Sequence, residues 1–313
     1  MKNNTVIVTG GAGFLGSHLV DRLIKEGHKV VVIDNLSTGK KENLPVQAKF
    51  YKIDIQNPEI SRIFKKEKPE IVFHLAAKIG VRKSSENPAI TNKTNILGSL
   101  NMLENCRKFK IKKLIFASSV GVYGQAKILP IKENQSLNPI SPYAISKLVI
   151  EKYLNYYQSQ GLNFVSLRFS NIYGPRQSTS GEGGVIAIFI NKIIRGERPI
   201  IFGKGNQTRD FLYVADAVEA AILALRALTG SIYPVRKSTF SNGVYNVGTN
   251  KEISIKKLFE LISFELNKKI KPIFKPLSQG EILKSRIDYS KIKKELGWQP
   301  EYNLEKGLKE TIK

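Results

Sequence analysis

Two periods of apolar residues trade places repeatedly along this chain. Val6-Ile7-Val8 is a short apolar run, and Leu15, Leu19, Val20, Leu23 and Ile24 then recur at helical spacing. Val30-Val31-Val32-Ile33 is a second run, ending at Asp34, and Phe50 to Ile55 alternates as a strand. Ile60 to Phe64 carries a short helical pattern, and Ile71 to Ala77 is a buried strand running into small residues. A helix is predicted from about Pro88 to Phe109, a strand over Lys113 to Ala117, a helix from Pro142 to about Gln160, and a strand over Phe164 to Phe169. Strands and helices alternate, with connections long enough for crossovers. That pattern predicts an α/β fold built on a Rossmann-type, doubly wound parallel sheet.

The second half is less regular. Ser170 to Gly184, rich in Gly, Pro and Ser, reads as a loop over the site, followed by a helix over Val185 to Arg195 and a short strand over Pro199 to Phe202. Further strands are predicted at Phe211 to Val214 and Val244 to Val247, and helices at about Ala215 to Leu228 and Ile253 to Leu266; Arg236 to Gly243 reads as a surface loop. There is no internal repeat and no disordered linker. A smaller α/β substrate lobe is therefore expected to be woven from separate segments. Residues 1–170 and about 210–250 form the dinucleotide lobe, and about 171–209 and 251–313 form the second.

Thr9 to Gly16 reads Thr-Gly-Gly-Ala-Gly-Phe-Leu-Gly, between the first strand and the first helix. Glycines there allow a tight turn, let backbone N–H groups approach a pyrophosphate, and let the helix pack closely on the sheet. The helix start supplies partial positive charge for the same group. Asp34, ending the next strand, can accept hydrogen bonds from both ribose hydroxyls and would repel a 2′-phosphate, so NAD is expected. Tyr143 and Lys147 share one helix face. A tyrosine is a poor base at its ordinary pKa of about 10. The lysine cation and a positive nicotinamide ring are expected to lower it until the phenol exchanges a proton with a substrate hydroxyl. Ser119, at a strand end, can hydrogen-bond the same hydroxyl.

Composition narrows this reading. With 313 residues and 42% hydrophobic content the chain suits a soluble globular protein, and no apolar stretch reaches the length of a membrane span. The N-terminus runs straight into a strand, with no signal peptide. The single cysteine, Cys106, sits in a helical pattern and fits a reducing cytoplasm. The formal net charge of +24 raises the question of nucleic acid. The lysines are spread along the whole chain, without a basic arm or interleaved aromatics. The charge therefore reads as a basic surface that attracts anionic small molecules. Three scattered histidines, of which His74 reads as packed or hydrogen-bonded, and one cysteine argue against a metal site.

These features, in this order, resemble the extended short-chain dehydrogenase/reductase family, and within it the UDP-glucose 4-epimerase group. The resemblance also rests on Asp34 to Gly39, His74-Leu75-Ala76-Ala77, Ser118-Ser119 with Val122-Tyr123-Gly124, and Arg168 to Asn171 with Tyr173 to Arg176. Thr208 to Phe211, Asn246-Val247-Gly248 and Leu296-Gly297-Trp298 complete it. It implies a catalytic triad of Ser119, Tyr143 and Lys147. It implies NAD contacts from Gly10, Gly13, Phe14, Leu15 and Gly16, from Asp34, Asn35, Ser37, Thr38 and Gly39, and from Asp54 and Ile55. Leu75, Ala76, Ala77, Asn95, Tyr143 and Lys147 complete that set. It implies UDP-sugar contacts from Ser119, Tyr143, Asn171, Val185, Phe202, Arg209, Glu281 and Ser285. Arg209 can instead ion-pair with an acid.

The implied reaction is inversion at C4 of a UDP-sugar. Where the resemblance implies an acidic pair in 4,6-dehydratases and a glutamate in decarboxylases, this chain has Val120 and Gly121. It also departs from the usual pattern at Ser278, where an arginine is expected, and at Glu281, in place of an aspartate. Ser285 stands where a bulky side chain narrows the sugar pocket, so N-acetylated UDP-sugars are expected alongside UDP-glucose and UDP-galactose. A homodimer through the helices at 88–109 and 143–160 is expected, and no membrane partner. Rival readings are a UDP-glucuronate 4-epimerase, another nucleotide-sugar epimerase or reductase, or a non-catalytic NAD- and RNA-binding protein.

Overall fold

Strands rich in Val, Ile and Phe assemble where the alternation predicts them. The computed structural model describes residues 3–179, 184–230, 243–277 and 281–313. The first six strands are β1 (Thr5–Thr9), β2 (Lys29–Asp34), β3 (Lys49–Lys52), β4 (Ile71–His74), β5 (Lys113–Ser119) and β6 (Asn163–Phe169). Then come β7 (Asn171–Tyr173), β8 (Ile200–Phe202), β9 (Thr208–Arg209), β10 (Phe211–Tyr213), β11 (Gly243–Val247), β12 (Ile253–Ser254) and β13 (Ile273–Lys275). The helices are α1 (Phe14–Lys25), α2 (Ile60–Glu67), α3 (Val81–Glu86), α4 (Pro88–Asn92), α5 (Ser99–Lys108) and α6 (Pro142–Gln158). They continue with α7 (Val185–Ile194), α8 (Val214–Thr229), α9 (Ile255–Glu265), α10 (Ser290–Leu296) and α11 (Leu304–Ile312).

Seven strands form one sheet in the order β11-β6-β5-β4-β1-β2-β3, every neighbouring pair parallel. Both faces are covered because successive strand side chains point to opposite sides. Val6 and Val8 pack with Leu19, Leu23 and Ile222, while Ile7 packs with Phe64, Met102 and Leu154. Helices therefore lie on both faces, as a parallel sheet of continuous apolar strands requires. The strand order reverses between β1 and β4. Open α/β sheets bind ligands at that point, beyond the carboxyl ends of the strands.

The smaller lobe is built from three two-stranded pairs, β10 with β7, β12 with β9 and β13 with β8, together with α7, α9 and α11. Two buried aspartates hold its crossing segments. Asp210 Oδ1 accepts from Thr249 N–H (2.8 Å) and Oγ1 (2.7 Å), and Oδ2 accepts from Asn250 N–H (3.0 Å) and Ile287 N–H (3.1 Å). Asp216 accepts from Glu301 and Tyr302 N–H, and its carbonyl accepts from Trp298 Nε1.

Several boundaries differ from expectation. β3 ends at Lys52, so Asp54 and Ile55 lie in the turn beyond it, and β4 ends at His74, leaving Leu75 to Ala77 irregular. The predicted helix at 88–109 contains a π-helical stretch, Lys93–Gly98, between α4 and α5. The loop from Ser170 conceals β7, and β9, β12, β13 and α11 carried too few periodic residues to read. Ile292, Leu296 and Trp298 pack in the same buried cluster as Val6 and Val8 of the large sheet. Residues 236–242 of the expected surface loop lie outside the described residues. Among the described residues no helix is long and apolar enough to cross a membrane.

Asp210→Asn would turn one accepting oxygen into an NH2 facing N–H donors. We expect it to destabilise the fold by at least ~2 kcal/mol, read as a lower urea midpoint at unchanged slope.

Candidate active site

The carboxyl ends of the strands open into a cavity of about 400 Å3, within the range of cofactor pockets. Its base is the turn after β1. Gly10 is left-handed (φ +70°), and a Cβ there would stand 2.8 Å from the Ala76 nitrogen. A Cβ at Gly16 would stand 2.1 Å from the Gly10 carbonyl oxygen. The turn closes only without side chains. No side chain caps α1 and no acid lies in its first turn, so its leading N–H groups are available to an anion.

Asp34 is buried at the end of β2. Oδ2 accepts from Ala12 N–H (3.0 Å) and Oδ1 from Leu36 N–H (2.8 Å). Burial holds its carboxyl above the usual range, and the two N–H groups work against that shift. A carboxylate offers about four acceptor sites, so both oxygens retain capacity for ribose hydroxyls. Asn35, Ser37, Thr38, Asp54 and Ile55 line the same end. Asn35 Nδ2 donates to Asp54 Oδ2 at 2.6 Å, and the Gln56 N–H and side-chain amide donate to Oδ1.

Leu75, Ala76 and Ala77 line the opposite wall. Thr9 Oγ1 accepts from Leu75 and Ala76 N–H, both at 3.2 Å, and lies 2.7 Å from His74 Nδ1; His74 Nε2 lies 2.7 Å from Ser99 Oγ. Burial, then the Lys147 charge, pushes His74 down to about 3. It is a neutral hydrogen-bonded post, as the sequence suggested. Asn95 is different. Its amide bonds both polar groups of the Lys78 backbone and Ser146 Oγ, and it lies behind the cavity wall rather than in it. Asn95 positions the segment after β4. Gly39 packs its backbone against Ala12 and is likewise outside the lining.

Ser119, Tyr143 and Lys147 meet at the other end of the cavity. Pro142 and the Ser141 side chain, which accepts from Ala144 N–H, start α6 just before Tyr143. Lys147 Nζ donates to the Ala117 carbonyl at 2.7 Å, lies 4.8 Å from the Phe116 ring centroid and 5.9 Å from that of Tyr143. The expected lowering of the phenol is not produced by these groups. Enclosure pushes Tyr143 up to about 12, with a hydrogen bond to Ser119 pulling the other way. Lys147 is itself pushed down to about 7 by burial. A cation that resists its own charge cannot much depress its neighbour. The positive nicotinamide ring is the part of that expectation left to do so.

Of the expected substrate contacts, Asn171 lines the cavity, beside Gly184 at the start of α7. Val185, Phe202, Arg209, Glu281 and Ser285 stand outside the lining. The Arg82 guanidinium lies 4.9 Å from the Phe202 ring centroid. Arg209 and Glu281, expected as separate contacts, are ion-paired with each other, while Arg209 Nη1 donates to the Thr208 and Ile282 carbonyls. This is the alternative left open for Arg209. Ser285 is buried, and Ser278 lies outside the described residues. Sequence reasoning missed Lys78, Thr94 and Gln177 in the lining, for which periodicity carried no signal. It also passed over Glu151, four residues beyond Lys147, and gave no role to the charge of Arg168 inside an apolar strand.

The NAD dependent epimerase/dehydratase family model matches residues 6–248. A putative UDP-glucose 4-epimerase of Methanocaldococcus jannaschii is 42% identical over 309 residues, covering 98% of this chain and 97% of that one. The crystal structure of a Thermotoga maritima UDP-glucose 4-epimerase with UDP-glucose is 44% identical, with a TM-score of 0.92 over 98% of this chain and 97% of that one. A UDP-N-acetylglucosamine 4-epimerase of Methanobrevibacter ruminantium, in complex with UDP-N-acetylmuramic acid, is 39% identical, with a TM-score of 0.89 over 100% of this chain and 98% of that one. With a glycine cradle, the buried Asp34 carboxyl and a Ser-Tyr-Lys end in one cavity, this chain belongs to the NAD dependent epimerase/dehydratase family of the extended short-chain dehydrogenases/reductases, and its cofactor is NAD.

Proposed function

We propose that the protein is a UDP-sugar 4-epimerase that interconverts UDP-glucose and UDP-galactose. One local observation carries the reading. The chain leaves Ser119 through a 3₁₀ turn, Val120–Tyr123, in which Gly121 N–H donates to Ser119 Oγ at 3.1 Å. Neither Val120 nor Gly121 offers a side-chain proton donor or acceptor. No carboxyl stands there to eliminate water or assist decarboxylation. The 42% and 44% identical relatives named above as UDP-glucose 4-epimerases support the same choice.

When bound, NAD supplies the acceptor and donor of hydride at the sugar C4. The chain's own residues do the rest. The turn at Gly10 to Gly16 and the start of α1 hold the pyrophosphate, and Asp34 holds the ribose. Ser119 hydrogen-bonds the 4-hydroxyl, and Tyr143 takes its proton as the hydride departs. With the opposite face of the ketone presented, Tyr143 would return the proton to the sugar oxygen, so no external reductant would be consumed. Arg209 grips the diphosphate by exchanging Glu281 for phosphate oxygens, a bidentate partner for its planar fork.

Two extensions belong to this reading. The small Ser285, with the N-acetylglucosamine-specific relative at 39% identity, supports turnover of UDP-GlcNAc and UDP-GalNAc as well. Exposed apolar side chains on the helices predicted to dimerise, Ile90 (54%), Leu97 (59%) and Tyr156 (58%), support a homodimer.

Purified protein without added cofactor should interconvert UDP-glucose and UDP-galactose. Stoichiometric consumption of NADH would instead identify a reductase. RNA binding with no turnover of any UDP-sugar would identify the non-catalytic rival. Tyr143→Phe should lose at least ~10²-fold in rate while retaining bound NAD. UDP-GlcNAc offered to the same preparation should yield UDP-GalNAc; its recovery unchanged would reject the wider specificity. Light scattering should report a dimer, and Leu97→Glu a monomer.

A further inference from the structure

Behind the strand end that carries Ser119 lies a buried ion pair the proton transfer does not use. Glu151 follows Lys147 by one turn of α6, so Tyr143, Lys147 and Glu151 form one row along the helix. Glu151 Oε1 accepts from Ser118 Oγ (2.6 Å), Ser166 Oγ (3.1 Å) and Arg168 Nε (3.0 Å), and Oε2 accepts from Arg168 Nη2 (2.6 Å). The two charged side chains are 4% and 5% exposed. Arg168 Nη1 donates to the Tyr123 hydroxyl at 2.7 Å, which donates to Asn246 Oδ1 at 2.8 Å. A buried ion pair is weak evidence of stability, since apolar side chains of similar size often serve as well. This one has a more specific placement: it holds Ser118, the neighbour of Ser119, and stands one turn from Lys147.

We propose that Glu151 is a positioning residue for proton transfer, its carboxylate keeping the Lys147 ammonium charged inside the site while its bond to Ser118 fixes the strand end on which Ser119 stands. The proposal rests on the roles given above to Ser119, Tyr143 and Lys147. The groups packed around Lys147 make Glu151 the relevant charge. From β4 comes His74, held neutral. From β5 come the Ala117 carbonyl and the Phe116 ring. Beyond Glu151, and joined to it, stand Arg168 of β6, a second cation, and Tyr123 of the 3₁₀ turn, a phenol pushed up to about 12 by burial. Of these groups and Tyr143, Glu151 is the anion. Burial drives Lys147 towards its neutral form, and the Glu151 charge is what works against it. By Coulomb's law a cation at Arg168 is expected to act in the opposite sense.

The test reads Lys147 directly. In protein labelled with 13C-lysine, the Lys147 Cε resonance is assigned by its loss in Lys147→Met and followed against pH, independently of turnover. Glu151→Gln should lower the Lys147 midpoint, and Arg168→Gln should raise it, each by at least ~0.5 pH unit. The alkaline fall of kcat should move with the midpoint in each variant, leaving KM little changed, because a rate that needs the ammonium is lost as pH rises through its pKa. If a single variant fails to fold, Glu151→Gln/Arg168→Gln leaves no charge unpaired. Glu151 is the charge that acts on Lys147, so the midpoint should still fall. Midpoints that stay put, or that move the same way in both folded single variants, overturn the proposal. A wild-type protein that turns over no UDP-sugar overturns the epimerase reading instead, and leaves the titration to be judged alone.

Discussion

The first turn of α1 approaches the end of β1 so closely that the Gly10 carbonyl lies where a Cβ of residue 16 would be. Much of the large lobe depends on that approach. It lets the helix lie flat on the sheet, where Leu19, Val20 and Leu23 join Val6, Val8 and Val32 in one core. It also aims the open end of the helix into the crevice where the strand order reverses. A structural need, close packing without a side chain, and a functional one, backbone N–H groups facing a pyrophosphate, are met by the same few atoms. The turn is held from the neighbouring strand as well. Thr9 Oγ1 ties the segment after β4 to β1, and His74 braces Thr9 from behind.

At the other end of the cavity, burial and charge oppose each other. Enclosure pushes the Tyr143 phenol up and the Lys147 amine down, so both are driven towards their neutral forms. A site of this kind is quiet by construction. On the proposed mechanism, the positive nicotinamide ring of bound NAD would be the charge that favours ionisation of this phenol. The same dry surroundings that raise the cost of ionisation make each fixed charge act more strongly. This gives the buried carboxylate one turn below Lys147 its weight.

The second lobe obeys a different constraint. Its segments come from distant parts of the chain and its strands are short, so the ladders alone hold little. Asp210 and Asp216 supply what the ladders lack, each collecting N–H groups from segments far away in sequence. Arg209 pairs with Glu281, and the Arg82 guanidinium of α3 lies over the Phe202 ring of β8. The first is a partly buried ion pair and the second places an exposed guanidinium over a partly buried ring.

The sequence by itself determined the layered parallel sheet, the glycine cradle, Asp34 and the Ser119, Tyr143 and Lys147 end. Each of these is a local matter: apolar period, turn chemistry, or residues a helical turn apart. Tertiary structure decided the rest. Asn95, inside a π-helical stretch, bonds the Lys78 backbone and Ser146. Arg209 pairs with Glu281, more than seventy positions away, and Trp298 joins a core begun at Val6. The electrostatic state of Tyr143 could not be read from its spacing to Lys147. Spacing gives distance along a helix, whereas the cost of a charge is set by how much water the surrounding elements remove, and that is known only once they are packed.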